Sequence, residues 1–540
     1  MKNRAIFIII LMSIRSALSW GQIWPLSETM TAVLVDNVMT ISTTLEAEDM
    51  PWRTWSDDDR NLIHSLVIED GVTSICEWAF AHHANLASVT MANSVTIIDS
   101  YGFYNCGSLQ MIKLSEGLTT LKQAAFKLCG SLTEVEIPAS VSFIMGELFV
   151  ECSQLEVIHV HEDNTAYSSY DGVLYDKDRK TLLIYPEGKS DVTFEMPATV
   201  EKIYESAFNN SRFEAISIPN SVTEISRNAF CYSAGLTSVT IPESVEEIGI
   251  GAFVACGKLT SIGVDARNKI YASDAGLLYN RDKTLLHTYP AGRSDDFTVP
   301  SFVKAIGPQA FAGGLIPSVT IPNTVKTMGD GLFLLCKNLK SAKFSNGLTE
   351  IPNNAFYNCF SLTTVELPRS ITTIGGDAFN ACFDLASITL PFSVTEIGEK
   401  AFKECTGLKE LTVEWETPLS VPVNVFEQVN TSDITLFVPD GTEALYQEAD
   451  VWKDFGTIEK YEFTSNASPL AMRGVKVWSQ NGVLYITGLT PGKPLYIYNL
   501  AGQLVYSGLV KTEEARIPLA WRGPSIVVSG EQSVKVNVTH

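Results

Sequence analysis

The sequence predicts an α/β repeat solenoid, mostly β, built from units of about 23 residues, with two β-hairpin insertions and a small all-β sandwich at its C-terminal end. Three observations carry this prediction. Phenylalanines recur about every 23 residues along much of the chain. Two intervals that break the period resemble each other. After about Asn466 the period gives way to short runs of alternating apolar and polar residues.

At the N-terminus, Lys2 and Arg4 precede the apolar run Ala5–Ile14, and the small residues Ser16, Ala17 and Ser19 follow. Charge, apolar run and small residues in that order predict a secretory signal peptide over 1–19. The run is half the ~20 residues that span a bilayer, so export without a transmembrane anchor is expected. The segment 20–75 reads as an N-terminal cap.

The period itself comes next. Phe80, Phe103, Phe126 and Phe149 are each 23 apart. Phe208, Phe230 and Phe253 follow one gap, and Phe311, Phe333, Phe356, Phe379, Phe402 and Phe426 follow a second. A clean unit starts at Leu362 as L-T-T-V-E-L-P-R-S-I-T-T-I-G-G-D-A-F-N-A-C-F-D. Its L-x-x-V-x-L-P segment alternates inward and outward like a short strand, and proline ends it because it cannot donate to a ladder. The S-I-T-T-I-G segment returns two apolar side chains to the core. In A-F-x-x-C-x-x-L apolar residues recur every third position, which predicts a short helical or 3₁₀ turn. One unit is too small to fold alone, but stacked units bury a continuous core. The solenoid is expected over 76–430 and a closing cap over 431–462.

The gaps span 59 residues (Phe149 to Phe208) and 58 (Phe253 to Phe311). Within them D-G-V-L-Y-D-K-D-R-K-T-L-L-I-Y-P-E-G-K-S (171–190) mirrors A-G-L-L-Y-N-R-D-K-T-L-L-H-T-Y-P-A-G-R-S (275–294). Each reads as a β-hairpin, with insertions over about 161–192 and 265–297. Residues 466–540 hold seven short strand patterns, and Asn481-Gly482 is a hairpin turn signal.

The units I-P-x-S-V-T-x-I-G-x-x-A-F-x-x-C-x-x-L, such as Ile241 to Leu259, resemble the repeats of the BspA-like leucine-rich repeat surface protein family of Bacteroidetes. Flanking segments around Met50–Trp52, and from Leu436 through Tyr446, Trp452 and Phe455, resemble that family's caps. The run Y-N-L-A-G-Q-L-V (498–505) partly resembles C-terminal sorting domains of type IX secretion cargo. These resemblances imply a cell-surface or secreted protein that binds macromolecules. Adhesion to host extracellular matrix proteins or to other microbes is the leading expectation. Capture of glycans or peptides for nutrition is the alternative, and 466–540 would engage the sorting machinery.

Composition narrows the partners. The chain has 540 residues, 39 Lys+Arg against 61 Asp+Glu, and a net charge of −22. This balance disfavours nucleic acid, whose binders need cations to displace phosphate counterions. With 45% hydrophobic residues the chain has ample apolar mass for a core.

The chemistry-bearing residues mostly follow the repeat. Cys106, Cys129, Cys152, Cys256, Cys336, Cys359, Cys382 and Cys405 each stand three residues after a repeat Phe. A disulfide framework is one reading. A structural ladder of buried free thiols is the preferred one, because the same position also accepts His83, Ser233 and Gly314. His159 and His161 lack a third ligand for a metal, and Asp57-Asp58-Asp59 lacks a calcium-loop spacing. No nucleophile elbow, metalloprotease motif or phosphate-binding loop is present, so no catalytic residue, metal or cofactor is expected. Outward strand positions such as Glu134/Glu136, Ser238/Thr240, Thr364/Glu366, Ser387/Thr389 and Glu410/Thr412 form a polar lattice. Tyrosines concentrate in the hairpins instead: Tyr167, Tyr170, Tyr175 and Tyr185, then Tyr271, Tyr279 and Tyr289. Tyrosine offers contact area at low entropic cost, so these rings are the expected ligand contacts.

Overall fold

The computed structural model describes residues 22–27, 30–42, 56–461, 476–480, 483–499, 504–519, 523–529 and 532–538. The signal-peptide segment, Met50–Trp52 and the Asn481-Gly482 turn lie outside the described residues. The chain divides into two compact units, Met1–Ser190 and Asp191–His540.

In the first unit, each repeat contributes two parallel strands. A longer column stacks Val38–Ile41, Ser65–Ile68, Ser88–Met91 and Met111–Lys113. It is followed by the pair Glu134–Ile137 and Val157–Val160. A shorter column stacks Ser74–Ile75, Ile97–Ile98, Thr120–Leu121 and Phe143–Ile144. Alternation places Val89, Ile112, Val135 and Ile158 inside, where all are buried, while their neighbours face solvent. Threonines one residue ahead of the short strands make a further ladder. Thr96 Oγ1 donates to Thr73 O at 3.0 Å and Thr119 Oγ1 to Thr96 O at 3.1 Å.

The third side of each repeat differs from the expected helical or 3₁₀ turn. Residues two before and two after the repeat Phe adopt left-handed backbone, as at Trp78 (φ 60°) and His82 (φ 62°), or Tyr101 (φ 59°) and Asn105 (φ 57°). Successive amides then alternate in direction. Ala79 N and Ala81 N bond back within their own turn, to Cys76 O and Trp78 O. Trp78 N, Phe80 N and His82 N reach across to Ser100 O, Gly102 O and Tyr104 O of the next repeat. A helix would spend every amide inside one turn. Here about half of them tie neighbouring repeats together, so backbone groups on this side find partners across the repeat boundary.

Inside, the repeat phenylalanines stack. Ring centroids of Phe80, Phe103, Phe126 and Phe149 are 5.4, 5.5 and 5.6 Å apart. The second unit repeats this from Phe333 through Phe356 and Phe379 to Phe402, at 5.2, 5.1 and 5.2 Å. Its longer column includes Ser318–Ile321, Ser341–Phe344 and Thr364–Glu366. The last solenoid strands, Thr435–Pro439 and Thr457–Tyr461, continue parallel to Glu410–Val413. They are closed by Trp415, Tyr446, Trp452 and Phe455, all buried. The polar edges of three of these rings are satisfied: Trp415 Nε1 donates to Val394 O, Tyr446 Oη to Trp415 O and Trp452 Nε1 to Leu419 O.

The C-terminal segment forms two antiparallel sheets. One holds Lys476–Gln480, Val483–Thr487 and Glu514–Pro518. The other holds Leu504–Leu509, Pro494–Asn499, Gly523–Ser529 and Gln532–Val538. They share a core that includes Leu484, Ile486, Ile497, Ile517 and Val527. Among the described residues helix is confined to short pieces such as Asp57–Arg60 and Glu443–Glu448.

Candidate functional site

Both insertions are three-stranded meanders rather than two-stranded hairpins. The first runs through Tyr167–Tyr170, Val173–Asp176 and Thr181–Ile184. The second runs through Tyr271–Asp274, Leu277–Asn280 and Leu285–Thr288. The tight turns Asp171-Gly172 (φ 52° and 75°) and Ala275-Gly276 (φ 49° and 81°) have both central residues left-handed, the geometry that matches strand twist in a two-residue hairpin. Gly276 also lies close to its neighbour: a Cβ there would sit 2.9 Å from Ser261 Oγ and 3.3 Å from Ser261 Cα.

Each insertion is one lengthened repeat. Tyr289 occupies the Phe register: its amide donates to Ala310 O at 2.7 Å, as Phe230 N does to Ala252 O, and its ring lies 5.1 Å from Phe311. Phe253 to Tyr289 is 36 residues, as is Phe149 to Tyr185. The tip of each hairpin covers the edge of the long-strand column. Ile158 N donates to Gly172 O, and Ile262 N to Gly276 O.

A pair of asparagines fixes this placement. Asn268 Nδ2 donates to Pro242 O (2.8 Å) and Val245 O (2.9 Å), and its Oδ1 accepts from Ile270 N (2.9 Å) and Tyr271 N (2.8 Å). Asn164 makes the same four bonds to Pro138, Val141, Ala166 and Tyr167. Both are fully buried. The phenols of Tyr167 and Tyr271 then accept the amides of Ile144 and Ile248 at the ends of the short columns.

Five of the seven hairpin tyrosines are therefore committed to the interior. Tyr175, Tyr185, Tyr271, Tyr279 and Tyr289 are buried and Tyr167 is half-buried. Burial pushes the Tyr279 phenol up to about 12 and raises Tyr175, Tyr271 and Tyr289 as well. Tyr170 is the one that presents its ring, 50% exposed, with the Arg179 guanidinium 4.7 Å above it. The equivalent pair in the second insertion is an ion pair, Lys283 Nζ to Asp274 at 2.9 Å.

Within each unit the outward positions of paired strands lie in register and face solvent. Ser238 pairs with Ser261, Ser341 with Thr364, Lys343 with Glu366, and Thr389 with Thr412. Glu134, Glu136, Ser238, Thr240, Thr364, Glu366, Ser387, Thr389 and Glu410 are exposed. Ion pairs here, Lys343–Glu366 at 3.5 Å and His159–Glu134 at 3.9 Å, are solvent-facing and weak.

The cysteines are all free. Each ladder thiol points inward and donates to the carbonyl of the preceding repeat's Phe. Cys106 bonds Phe80 O, Cys359 bonds Phe333 O and Cys405 bonds Phe379 O, at 3.1, 3.1 and 3.0 Å. Ser233 does the same to Phe208 O at 2.8 Å, which explains why a hydroxyl substitutes there. Burial pushes Cys129, Cys336 and Cys405 up to about 12, so these thiols are poor nucleophiles. His83, also buried, is held neutral, its value lowered to about 4 by desolvation. Among the described residues no group of three or more His, Cys, Asp or Glu is placed to hold a metal. No described helix is long and apolar enough to cross a membrane.

Sequence reasoning missed three things: the asparagine pins, the turn ladder and an aromatic group on the first two turns. The signals were present as Asn at matched offsets in both insertions, Asn, Asp or Gly flanking many repeat Phe residues, and rings 23 apart.

The family model for the BspA type leucine-rich repeat region matches residues 59–170, 188–275 and 294–436, more than half of the chain. The matched stretches break off where the meanders lie. No curated protein matches significantly. Among solved structures, a leucine-rich cell surface protein from Faecalibacterium prausnitzii is 28% identical, covering 74% of this chain and 95% of that one, with a TM-score of 0.42. A leucine-rich repeat protein from Eubacterium ventriosum is 23% identical over 71% and 95%, with a TM-score of 0.40. One from Bacteroides ovatus is 19% identical over 83% and 100%, with a TM-score of 0.33.

Proposed function

The chain belongs to the BspA-type leucine-rich repeat family, and on that premise we propose that it is an exported surface protein that binds extracellular proteins and catalyses nothing. Adhesion to host matrix proteins or to neighbouring microbes is the activity this reading assigns. The observation that carries it is the exposed strand face, where polar side chains, mostly Ser, Thr and Glu, recur in register on a buried, close-packed core. Its Ser and Thr positions have little side-chain entropy to lose, and many weak contacts along it add through effective concentration. Tyr170 with Arg179 supplies the aromatic and cationic anchor types that protein interfaces favour. The acidic balance of the chain favours partners with basic patches.

The test is a binding panel with the full chain over immobilised matrix proteins. Binding should weaken with rising salt and fall in the variants Tyr170→Ala and Thr364→Lys. Absence of binding to every protein on the panel, or full binding by both variants, would reject the reading.

A further inference from the structure

The turns of the first two repeats carry an aromatic group that neither the core nor the strand face uses. Trp78 and Tyr101 stack at 4.2 Å with an interplanar angle of 11°. Tyr104 meets both edge-on, at 5.3 and 5.6 Å. His82 meets Tyr104 edge-on at 5.3 Å, and Asn105 Nδ2 lies 3.0 Å from His82 Nδ1. His82 is exposed; the three other rings are half-buried.

Two features set this group apart from ordinary surface decoration. The left-handed positions of Trp78 and Tyr101, with φ of 60° and 59°, recur in other turns and are filled there by small, polar or charged residues such as Ala124, Glu147, Asn228, Gln309, Gly331, Asn354 and Lys400, whereas the first two turns place large aromatic rings there. Second, the group is polar at its edges: an indole N–H, two phenols, an imidazole and an amide surround carbon-rich faces. A protein-binding patch of this size would also want exposed aliphatic neighbours, whereas the adjoining residues Glu77, Ala84 and Asn85 are small or polar and exposed.

Rings offering C–H contact beside paired donors and acceptors suit a pyranose, which has an apolar face and a hydroxyl rim. The charge nearby selects among sugars. Asp57 is paired with Arg60 at 2.5 Å, but Asp58 and Asp59, next to it in sequence, and Glu77, next to Trp78, are exposed. Carboxylates repel sialylated and sulfated glycans. We propose that Trp78, His82, Tyr101, Tyr104 and Asn105 form a binding site for a neutral hexopyranose unit, on a side of the repeats separate from the strand face.

The experiment uses the full chain on an array of neutral, sialylated and sulfated oligosaccharides, followed by calorimetric titration with the best neutral ligand. Trp78→Asn and Tyr101→Asn install a residue that other repeats already carry, so each should fold with an unchanged or higher melting temperature. Each should weaken neutral-glycan binding by roughly tenfold or more, the loss of one stacking contact with its hydrogen bond. Matrix-protein binding should be unchanged in both, which separates this site from the strand-face reading. Failure of the unmodified chain to bind any neutral glycan, preference for charged ones, or full binding by a folded Trp78→Asn or Tyr101→Asn chain would overturn it.

Discussion

Replacing Asn268 probes how the second insertion is held. Its side chain makes four hydrogen bonds to backbone groups, two of them carbonyls of the preceding repeat. Asn268→Ala removes all four. The Pro242 carbonyl keeps a longer bond from Val245 N at 3.4 Å, so at about 1 kcal/mol per bond the cost is about 3–4 kcal/mol. Asn268→Asp has the same shape and separates donors from acceptors. It keeps two acceptors for Ile270 N and Tyr271 N but sets an oxygen against two carbonyls. The folded state then favours the protonated carboxyl, raising its value above the ordinary ~3.9. A raised folded value means stability is present at low pH and lost as pH rises through it. Asn268→Asp should therefore be closer to the unmodified protein at pH 4 than at pH 7. Because a repeat array need not unfold in one step, hydrogen exchange across 265–297 is the assay, with guanidinium titration beside it. A loss below about 1 kcal/mol for Asn268→Ala, or equal exchange for Asn268→Asp at both pH values, would refute the pinning argument.

Other expectations follow from the same ladders. His83 is neutral when buried and its value is about 4, below the ordinary ~6.5; the unfolded state binds the extra proton between these values, so stability falls as pH drops from 6.5 to 4. The loss amounts to about 3 kcal/mol, and His83→Cys, which restores the ladder residue, should remove that part of the pH dependence in paired melts. Alkylation of the native protein at pH 8 should modify Cys76 at most, which is half-buried, and all ten cysteines after denaturation; native labelling of Cys359 or Cys382 would contradict the ladder. Gly276→Ala should cost about 1–2 kcal/mol, because of its φ of 81° and the nearby Ser261, whereas Gly257→Ala, where a Cβ meets nothing, should be nearly silent in the same denaturation series.

The period was legible because stacking demands it: each inward Phe, Val and Ile must meet its counterpart one repeat away. The register of the insertions was not, because the ladder changes residue type there. Counting from Phe to Phe gives 59 and 58 residues and hides Tyr289, which keeps its stack in step with Phe311, and Tyr185 at the matching offset. The turn misled for a related reason. Apolar spacing of three in A-F-x-x-C suits a helical turn, and the hint of left-handed backbone lies in the Asn, Asp and Gly two residues from many repeat Phe, such as Asn105, Asn228, Gly331, Asn354 and Asp377. Hairpin tyrosines looked like contact residues because burial depends on which neighbours close over a ring, and Asn164 and Asn268 decide that. The Trp78 group needed the third dimension as well, since Tyr104 and His82 meet only when two turns are stacked.

The turn amides that cross between repeats have a mechanical meaning. Their bonds run along the direction in which repeats stack, as do those of both strand columns. Within either unit, a pull in that direction loads the turn row together with the strand columns paired at that boundary, and a boundary that fails must release a whole repeat. The freed length would come in quanta: about 80 Å for an ordinary 23-residue unit and about 125 Å for each 36-residue one, at ~3.5 Å per extended residue. Single-molecule extension of this chain would thus show uniform steps with two longer ones, and those two would mark where the meanders sit.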